Sequence, residues 1–230
     1  MKYLSLFSGI GGFELGIQQA YEDNNRELLQ SKTSKNIRKD SSNIKSGQNR
    51  ATCVGYSEFD PSCDKQRCKG YHTAISETQS KCDTCGKIKT QYAIQVYNKQ
   101  FNHKNYRDIT KANYEQLEDF DLVVGGVPCQ SWSIAGKRGG FDDERGNMWF
   151  ECFKILRAKQ PKYFLFENVK GLLSHDGGKS MERICEELCE CGYGIDFEVL
   201  NSKNFGVAQN RERVFIIGIR LDMIDKCQLF

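Results

Sequence analysis

The sequence predicts an α/β fold with a mostly parallel sheet. Three observations predict it. Short apolar runs alternate with stretches of helical periodicity. The first run breaks into a glycine turn, Phe7-Ser8-Gly9-Ile10-Gly11-Gly12. Glu58, Cys129 and Glu167 stand just past the ends of later runs, where ligands bind in sheets of this kind.

In chain order, residues 3–6 read as the first buried strand, and helical spacing follows at 13–21. Residues 22–50 are rich in Asn, Ser, Lys and Gln, with almost no apolar periodicity, and are expected to form a long mobile loop. Residues 53–57 read as the second strand. Residues 61–90 interrupt the alternation and hold four cysteines. A helix is expected near 92–100, and Asp108 follows a third short extended segment. Strands at 122–125, 163–166, 197–200 and 214–218 then alternate with helices near 148–158 and 179–191. There is no internal repeat.

The length, 230 residues, suits one sizeable domain with a buried core. The net charge is only +3, so overall charge does not announce a nucleic-acid binder, and any surface for one must be a local patch. No segment approaches the length of an apolar membrane span, and the apolar N-terminal stretch is too short for a signal peptide. A cytoplasmic protein is expected. Its 11 cysteines are odd in number, which favours reduced thiols, one catalytic and some on a metal, over a disulfide framework.

The glycine turn lets the backbone approach a ligand while helix N–H groups face it, although a plain strand-to-helix turn has the same pattern. Glu58 ends the second strand and suits a ribose diol; the bland reading is a solvated acid. Asp108 either accepts from an adenine amino group or caps a following helix. Cys129 follows Gly125-Gly126-Val127-Pro128 at a strand terminus, a setting that favours a nucleophile over a small buried hydrophobe. Residues 134–147 carry four glycines and several charges and read as a mobile lid, with Lys137 and Arg138 in reach of phosphates.

Pro128-Cys129-Gln130-Ser131 after Gly-Gly resembles the nucleophile motif of the cytosine-C5 DNA methyltransferases, and residues 7–12 resemble that family's first motif. Glu167-Asn168-Val169 matches its acidic motif, and Gln209-Asn210-Arg211-Glu212-Arg213 its Gln-x-Arg-x-Arg motif, all in the family's order. The resemblance covers nearly the whole chain, read as one catalytic domain over residues 1–230, apart from the two interruptions at 22–50 and 61–90. It implies a Rossmann-like S-adenosylmethionine-dependent methyltransferase fold with a mostly parallel seven-stranded sheet. It implies methyl transfer to carbon 5 of a flipped cytosine in double-stranded DNA, with Cys129 as nucleophile, Glu167 as the acid near N3, Arg213 at O2 and Arg211 supporting the lid. Planar guanidinium groups suit such anchored contacts, although one arginine could instead pair with Glu212. Phe7, Ser8, Gly9, Gly11, Gly12, Glu58, Phe59, Asp108, Ile109, Pro128 and Met148 carry over as cofactor-binding. Gln130, Ser131, Ser133, Lys137, Arg138, Asn168 and Gln209 carry over to substrate and lid.

The sequence departs from the family in three places. In the family a target-recognition region and two later motifs come after the position of Phe230, so a second chain supplying them, a truncated gene or an expression fragment is expected. Ala208 stands where the family usually has proline, with little effect expected. The 61–90 insertion holds Cys63-x4-Cys68 and Cys82-x2-Cys85-Gly86, the shape of a zinc knuckle, and a structural zinc ribbon is preferred to unliganded thiols. His72 could replace one cysteine there. Lys65, Arg67, Lys69, Lys81, Lys87 and Lys89 make the insertion basic. Cys185 and Cys189, spaced i, i+4, are expected on a buried helix face. An RNA-directed relative and an inactive cofactor-binding fragment are the alternatives. Intact Cys129, Glu167, Arg211 and Arg213 argue against the fragment.

Overall fold

The computed structural model describes residues 1–34, 50–63, 68, 70–128 and 148–224, with the side chains of the first helix described through residue 24. In chain order the elements are β1 (Lys2–Leu6), α1 (Gly12–Ser34), β2 (Thr52–Ser57), β3 (His72–Ala74), β4 (Gln79–Cys82), β5 (Ile88–Thr90) and α2 (Tyr92–Gln100). There follow β6 (Leu122–Gly126), α3 (Met148–Lys159), β7 (Tyr163–Val169), α4 (Lys179–Glu190), β8 (Tyr193–Asn201) and β9 (Glu212–Arg220).

Six strands form the main sheet in the order β2-β1-β6-β7-β9-β8. β2, β1, β6 and β7 pair in parallel, and β9 pairs antiparallel with both β7 and β8. The expected seventh strand is reduced to a bridge beside β2. There Tyr56 N–H donates to Lys104 O at 2.9 Å and Tyr106 N–H to Tyr56 O at 2.7 Å. Arg107 then turns to φ 58, outside the extended region, so the ladder stops.

β1 and β6 are buried on both faces, which is why they read as continuous apolar runs, whereas β7 and β9 bury one face and leave the other partly open. Leu4, Leu6, Val123, Phe164, Phe166, Val214 and Ile216 pack with α3 and α4 in one cluster. α3 contributes Trp149, Cys152, Phe153, Ile155 and Leu156, and α4 contributes Met181, Ile184 and Leu188 at i, i+3, i+7. Each such large side chain, fully buried, contributes roughly 1.5–3 kcal/mol. α2 packs on β2 through Tyr97, whose ring stacks on Tyr56 at 3.7 Å. The Tyr97 hydroxyl donates to the buried Glu14 at 3.0 Å and so ties α2 to α1.

Two further expectations are corrected. α1 runs to Ser34, through the first part of the stretch expected to be loop. Residues 22–34 contain no Gly or Pro and include good helix formers such as Glu, Leu, Gln and Lys, so helix propagates without an apolar stripe. On α4, Cys185 is half-buried but Cys189 is exposed, because the stripe of Met181, Ile184 and Leu188 already faces the core. Cys191, just past the helix, is the buried one.

The insertion forms a separate three-stranded antiparallel sheet, β3-β4-β5. Buried Gln91 stitches it to the end of β2. Gln91 Nε2 donates to Asp60 O at 3.0 Å and to Ser80 Oγ at 2.9 Å, and its Oε1 accepts from Asp60 N–H at 3.1 Å. Burial pushes the Asp60 carboxyl up, but the Lys89 ammonium and Ser62 donors outweigh it and hold the group below the usual carboxylate range. Among the described residues no helix is long and apolar enough to cross a membrane.

Candidate active site

The carboxyl ends of β1, β2, β6 and β7 converge on one edge of the sheet, as parallel pairing requires. β1 leads into the glycine turn, where Phe7, Gly9 and Gly11 have φ of 53, 55 and 93. At Gly11 a Cβ would stand 2.4 Å from the Phe101 ring, so only glycine lets the end of α2 close on this turn. Ser8 is buried and donates to Ser5 Oγ at 2.8 Å. Gly12 opens α1.

From the end of β2, Glu58 Oε2 accepts from Gly9 N–H at 2.8 Å. Burial pushes the Glu58 carboxyl above its ordinary range, and the Gly9 N–H offsets this only in part. Half-buried Phe59 follows. The Asn105 side chain joins the Glu58 segment to the Asp108 turn, accepting from Glu58 N–H at 3.4 Å and from Arg107 N–H at 2.8 Å. Asp108 does cap a short helical turn: its Oδ1 accepts from Thr110 N–H at 3.1 Å, with Ile109 buried behind it. Its Oδ2 accepts from the hydroxyl of Tyr71, a residue of the insertion.

Glu167 and Arg213 meet across the antiparallel β7–β9 pair. The register sets Val169 opposite Arg213 and Glu167 opposite Phe215, so the two charged side chains are diagonal neighbours on one face. Arg213 Nε lies 2.8 Å from Glu167 Oε1, each side chain 21% exposed. Arg213 Nη1 also donates to Glu212 O at 2.8 Å, while the Glu212 carboxylate itself takes Lys170 at 3.0 Å. The expected alternative, an arginine paired with Glu212, is therefore filled by lysine.

The arm that leads to the nucleophile motif is fixed against Glu167. Val127 N–H donates to Glu167 O at 3.1 Å, and buried Asn168 Nδ2 donates to Val127 O at 3.4 Å. A Cβ on Gly126 would stand 3.3 Å from Glu167 Oε2 and 3.9 Å from Phe7 O, so the glycine turn and the acidic strand flank one small space. Pro128 is half-buried at its rim, and Met148 at the start of α3 packs against the core. Cys129, Gln130, Ser131, Ser133, Lys137 and Arg138, with the lid expected at 134–147, lie outside the described residues.

Gln209 and Arg211 are exposed on the connection between β8 and β9. That connection is held by Asn201, which the sequence did not single out. Asn201 Oδ1 accepts from Lys203 N–H at 3.2 Å and Arg211 N–H at 3.3 Å, and Nδ2 donates to Asn210 Oδ1 at 2.7 Å. Its position just before a polar turn was the available signal.

The four insertion cysteines come together. The Sγ atoms of Cys63, Cys68, Cys82 and Cys85 all lie within 4.8 Å of one another, with Cys63–Cys85 and Cys68–Cys82 both at 3.7 Å. A tetrahedral thiolate site with Zn–S of about 2.3 Å has edges of about 3.8 Å. Cys82 N–H donates to Lys87 O at 2.9 Å and Gly86 N–H to Cys82 O at 3.0 Å, which closes the knuckle turn. The backbone N–H of Cys85, with that of Thr84, draws the Cys82 thiol down to about 7. His72 stands outside the cluster, buried, with Nδ1 3.0 Å from Ser80 Oγ.

A largely parallel sheet, a glycine turn at its first strand and an acid at the end of the second define the Rossmann-like fold of methyltransferases. Solved structures agree. The S. pombe Dnmt2 methyltransferase matches with TM-score 0.58 at 18% identity, over 98% of this chain and 52% of that one. The Entamoeba histolytica methyltransferase EhMeth matches with TM-score 0.56 at 17% identity, over 96% and 53%. The family model for C-5 cytosine-specific DNA methylase matches residues 66–228, and the chain belongs to that family. It is 39% identical over 224 residues to the orphan methyltransferase M.SPRI of Bacillus phage SPR, covering 97% of this chain and 39% of that protein. It is 35% identical over 223 residues to the type II methyltransferase M.HgiCII of Herpetosiphon aurantiacus, covering 95% and 37%. The chain thus spans about two fifths of these curated relatives.

Proposed function

We propose that the chain is the catalytic part of a DNA (cytosine-5-)-methyltransferase, with S-adenosylmethionine as methyl donor and Cys129 as nucleophile. The observation that carries this reading is the Glu167–Arg213 pair held beside the 127–128 arm that enters the Cys129 motif. The family and the DNA-methyltransferase relatives favour DNA, whereas the likeness to the solved structures speaks to fold alone.

The residues fit the cofactor. Glu58, oriented by Gly9 N–H, would accept from a ribose diol; Phe7 and Phe59 would offer aromatic faces; Asp108, held by Tyr71, and Ile109 would take the adenine. Ser8, Gly11 and Gly12 would shape the turn around the cofactor, and Pro128 and Met148 would border it. When bound, S-adenosylmethionine supplies an electrophilic methyl on a sulfonium.

The substrate cytosine must leave the duplex, at a cost of a few kcal/mol. Its O2–N3 edge presents two adjacent acceptors. Arg213 donates to O2, and Glu167 donates a proton to N3 as negative charge builds there. The Cys129 thiolate forms a bond to C6, which makes C5 enamine-like and able to take the methyl. Loss of the C5 proton to a base, expulsion of the thiolate and return of the N3 proton to Glu167 restore the ring. Asn168 holds the arm. Arg211, Gln209, Gln130, Ser131 and Ser133 serve lid and substrate, and Lys137 and Arg138 meet phosphates. The four insertion cysteines hold a structural zinc. The protein works in the cytoplasm with its DNA.

The test is transfer of labelled methyl from S-adenosylmethionine to unmethylated duplex DNA, by the chain alone and with the product of the adjacent gene. Label on cytosine C5, lost in Cys129→Ala, is expected. Label only in the mixture identifies a second chain as the source of the target-recognition region. No transfer in either mixture by folded protein contradicts the reading.

A further inference from the structure

The insertion reaches the adenine end of the site through a side chain that the reaction scheme does not use. Tyr71 N–H donates to Asp83 Oδ1 at 2.9 Å, and its carbonyl accepts from Asp83 N–H at 3.0 Å. Asp83 lies between Cys82 and Cys85, so the knuckle sets the Tyr71 backbone. The Tyr71 hydroxyl then donates to Asp108 Oδ2, and the Lys111 ammonium sits 3.8 Å above its ring. A second link runs beside the first. Arg107, at φ 58, donates from Nη1 to Ser76 O in the β3–β4 turn at 2.9 Å. The insertion therefore grips two successive residues of the turn that follows the reduced strand.

The state of the Asp108 carboxylate gives this grip a purpose. A carboxylate offers about four lone-pair positions. Asp108 Oδ1 accepts from Thr110 N–H at 3.1 Å and Thr110 Oγ1 at 2.7 Å, and Oδ2 accepts from Tyr71. About one position is left, and its direction is fixed by the three already filled. A single remaining acceptor suits a single N–H, such as one hydrogen of an exocyclic amino group.

We propose that Tyr71 is a positioning residue for cofactor recognition, and that metal in the Cys63/Cys68/Cys82/Cys85 cluster tunes selectivity for adenine through it. The proposal rests on the cofactor and zinc readings above. Without metal the knuckle loosens, Asp83 no longer sets Tyr71, and Asp108 loses one of its three fixed partners. Coupling of this kind is reciprocal, so cofactor binding also tightens the metal.

The experiment is calorimetric titration of the purified chain and of Tyr71→Phe with S-adenosylhomocysteine and with its deaminated analogue S-inosylhomocysteine, alongside metal analysis. Wild type is expected to prefer the adenosine ligand. In Tyr71→Phe the metal stays, and the preference falls by roughly three- to tenfold, the size of one lost hydrogen bond. The KM for S-adenosylmethionine should rise with kcat held. Chelation of wild type should lower the preference in the same direction. Unchanged preference in Tyr71→Phe overturns the proposal, and so does unchanged preference in folded, metal-stripped wild type. Should chelation unfold the chain, Tyr71→Phe decides. Binding of neither ligand by wild type is a different result: it removes the cofactor reading itself, and with it the premise.

Discussion

Arg213 Nε and Glu167 Oε1 stand 2.8 Å apart, placed by a diagonal register across β7 and β9 rather than by nearness in sequence. On the proposed reading this pair meets the adjacent O2 and N3 acceptors of a flipped cytosine. Arg213→Ala should lower the single-turnover methylation rate by about 10²–10³-fold, as for loss of one preorganised donor at developing charge. S-adenosylhomocysteine affinity should hold, because Arg213 is not at the cofactor turn. Arg213→Lys should rescue little, since a point-charge ammonium lacks the planar fork.

Glu58 predicts a pH dependence with a definite sign. Burial raises its folded carboxyl above the ordinary glutamate range. As pH falls through that raised value the group becomes protonated and loses its capacity to accept twice from a diol, so cofactor affinity should fall at a higher pH than for an ordinary glutamate. The contribution of Glu58 to the stability of the ligand-free chain should move the other way, against the opposite contribution of carboxylates such as Asp60 that are held low. A raised folded pKa contributes stability below the unfolded value and loses it as pH rises through the folded one. Titrations of S-adenosylhomocysteine and thermal melts across mildly acidic pH, each read as the difference between wild type and Glu58→Gln, should show both trends.

Gly218 faces Phe164 across the β7–β9 ladder, and a Cβ there would sit 1.9 Å from the Phe164 ring. Gly218→Ala must displace a fully packed aromatic. The expected cost is about 1–3 kcal/mol, read as a drop of roughly 2–12 °C in Tm. An unchanged Tm would mean that the ring relaxes freely.

Much of this was legible in the sequence because it is local. The alternation of apolar runs marked all six main strands, and the glycine turn marked the loop after β1. The Cys-x2-Cys-Gly86 knuckle signalled the thiolate cluster. What escaped was non-local or conformational. Nothing near Tyr71 announces a bond to Asp108, 37 residues away. The resemblance already put Glu167 and Arg213 at one site, but their direct ion pair follows from strand register, and the shortened strand beside β2 from the left-handed turn at Arg107, neither of which periodicity encodes. α1 overran its expected end because a polar run with good helix propensity has no apolar stripe to betray it.

Metal analysis of purified protein should give about one zinc per chain, the stoichiometry of a four-thiolate site. Cys85→Ser should lower the zinc content and the Tm together, because binding free energy in such modules is folding free energy. Zinc near zero in a folded, unmodified chain would contradict the assignment.

The central claim, covalent attack on cytosine C6 by Cys129, is tested most directly by trapping. Duplex DNA carrying 5-fluorocytosine at the target should be methylated and then held, since no proton remains on C5 to be lost. The account predicts a denaturation-resistant complex that needs S-adenosylmethionine, with the modified peptide containing Cys129, and none from Cys129→Ala. Methyl transfer to ordinary DNA without any trapped complex, or a complex that survives Cys129→Ala, would contradict it.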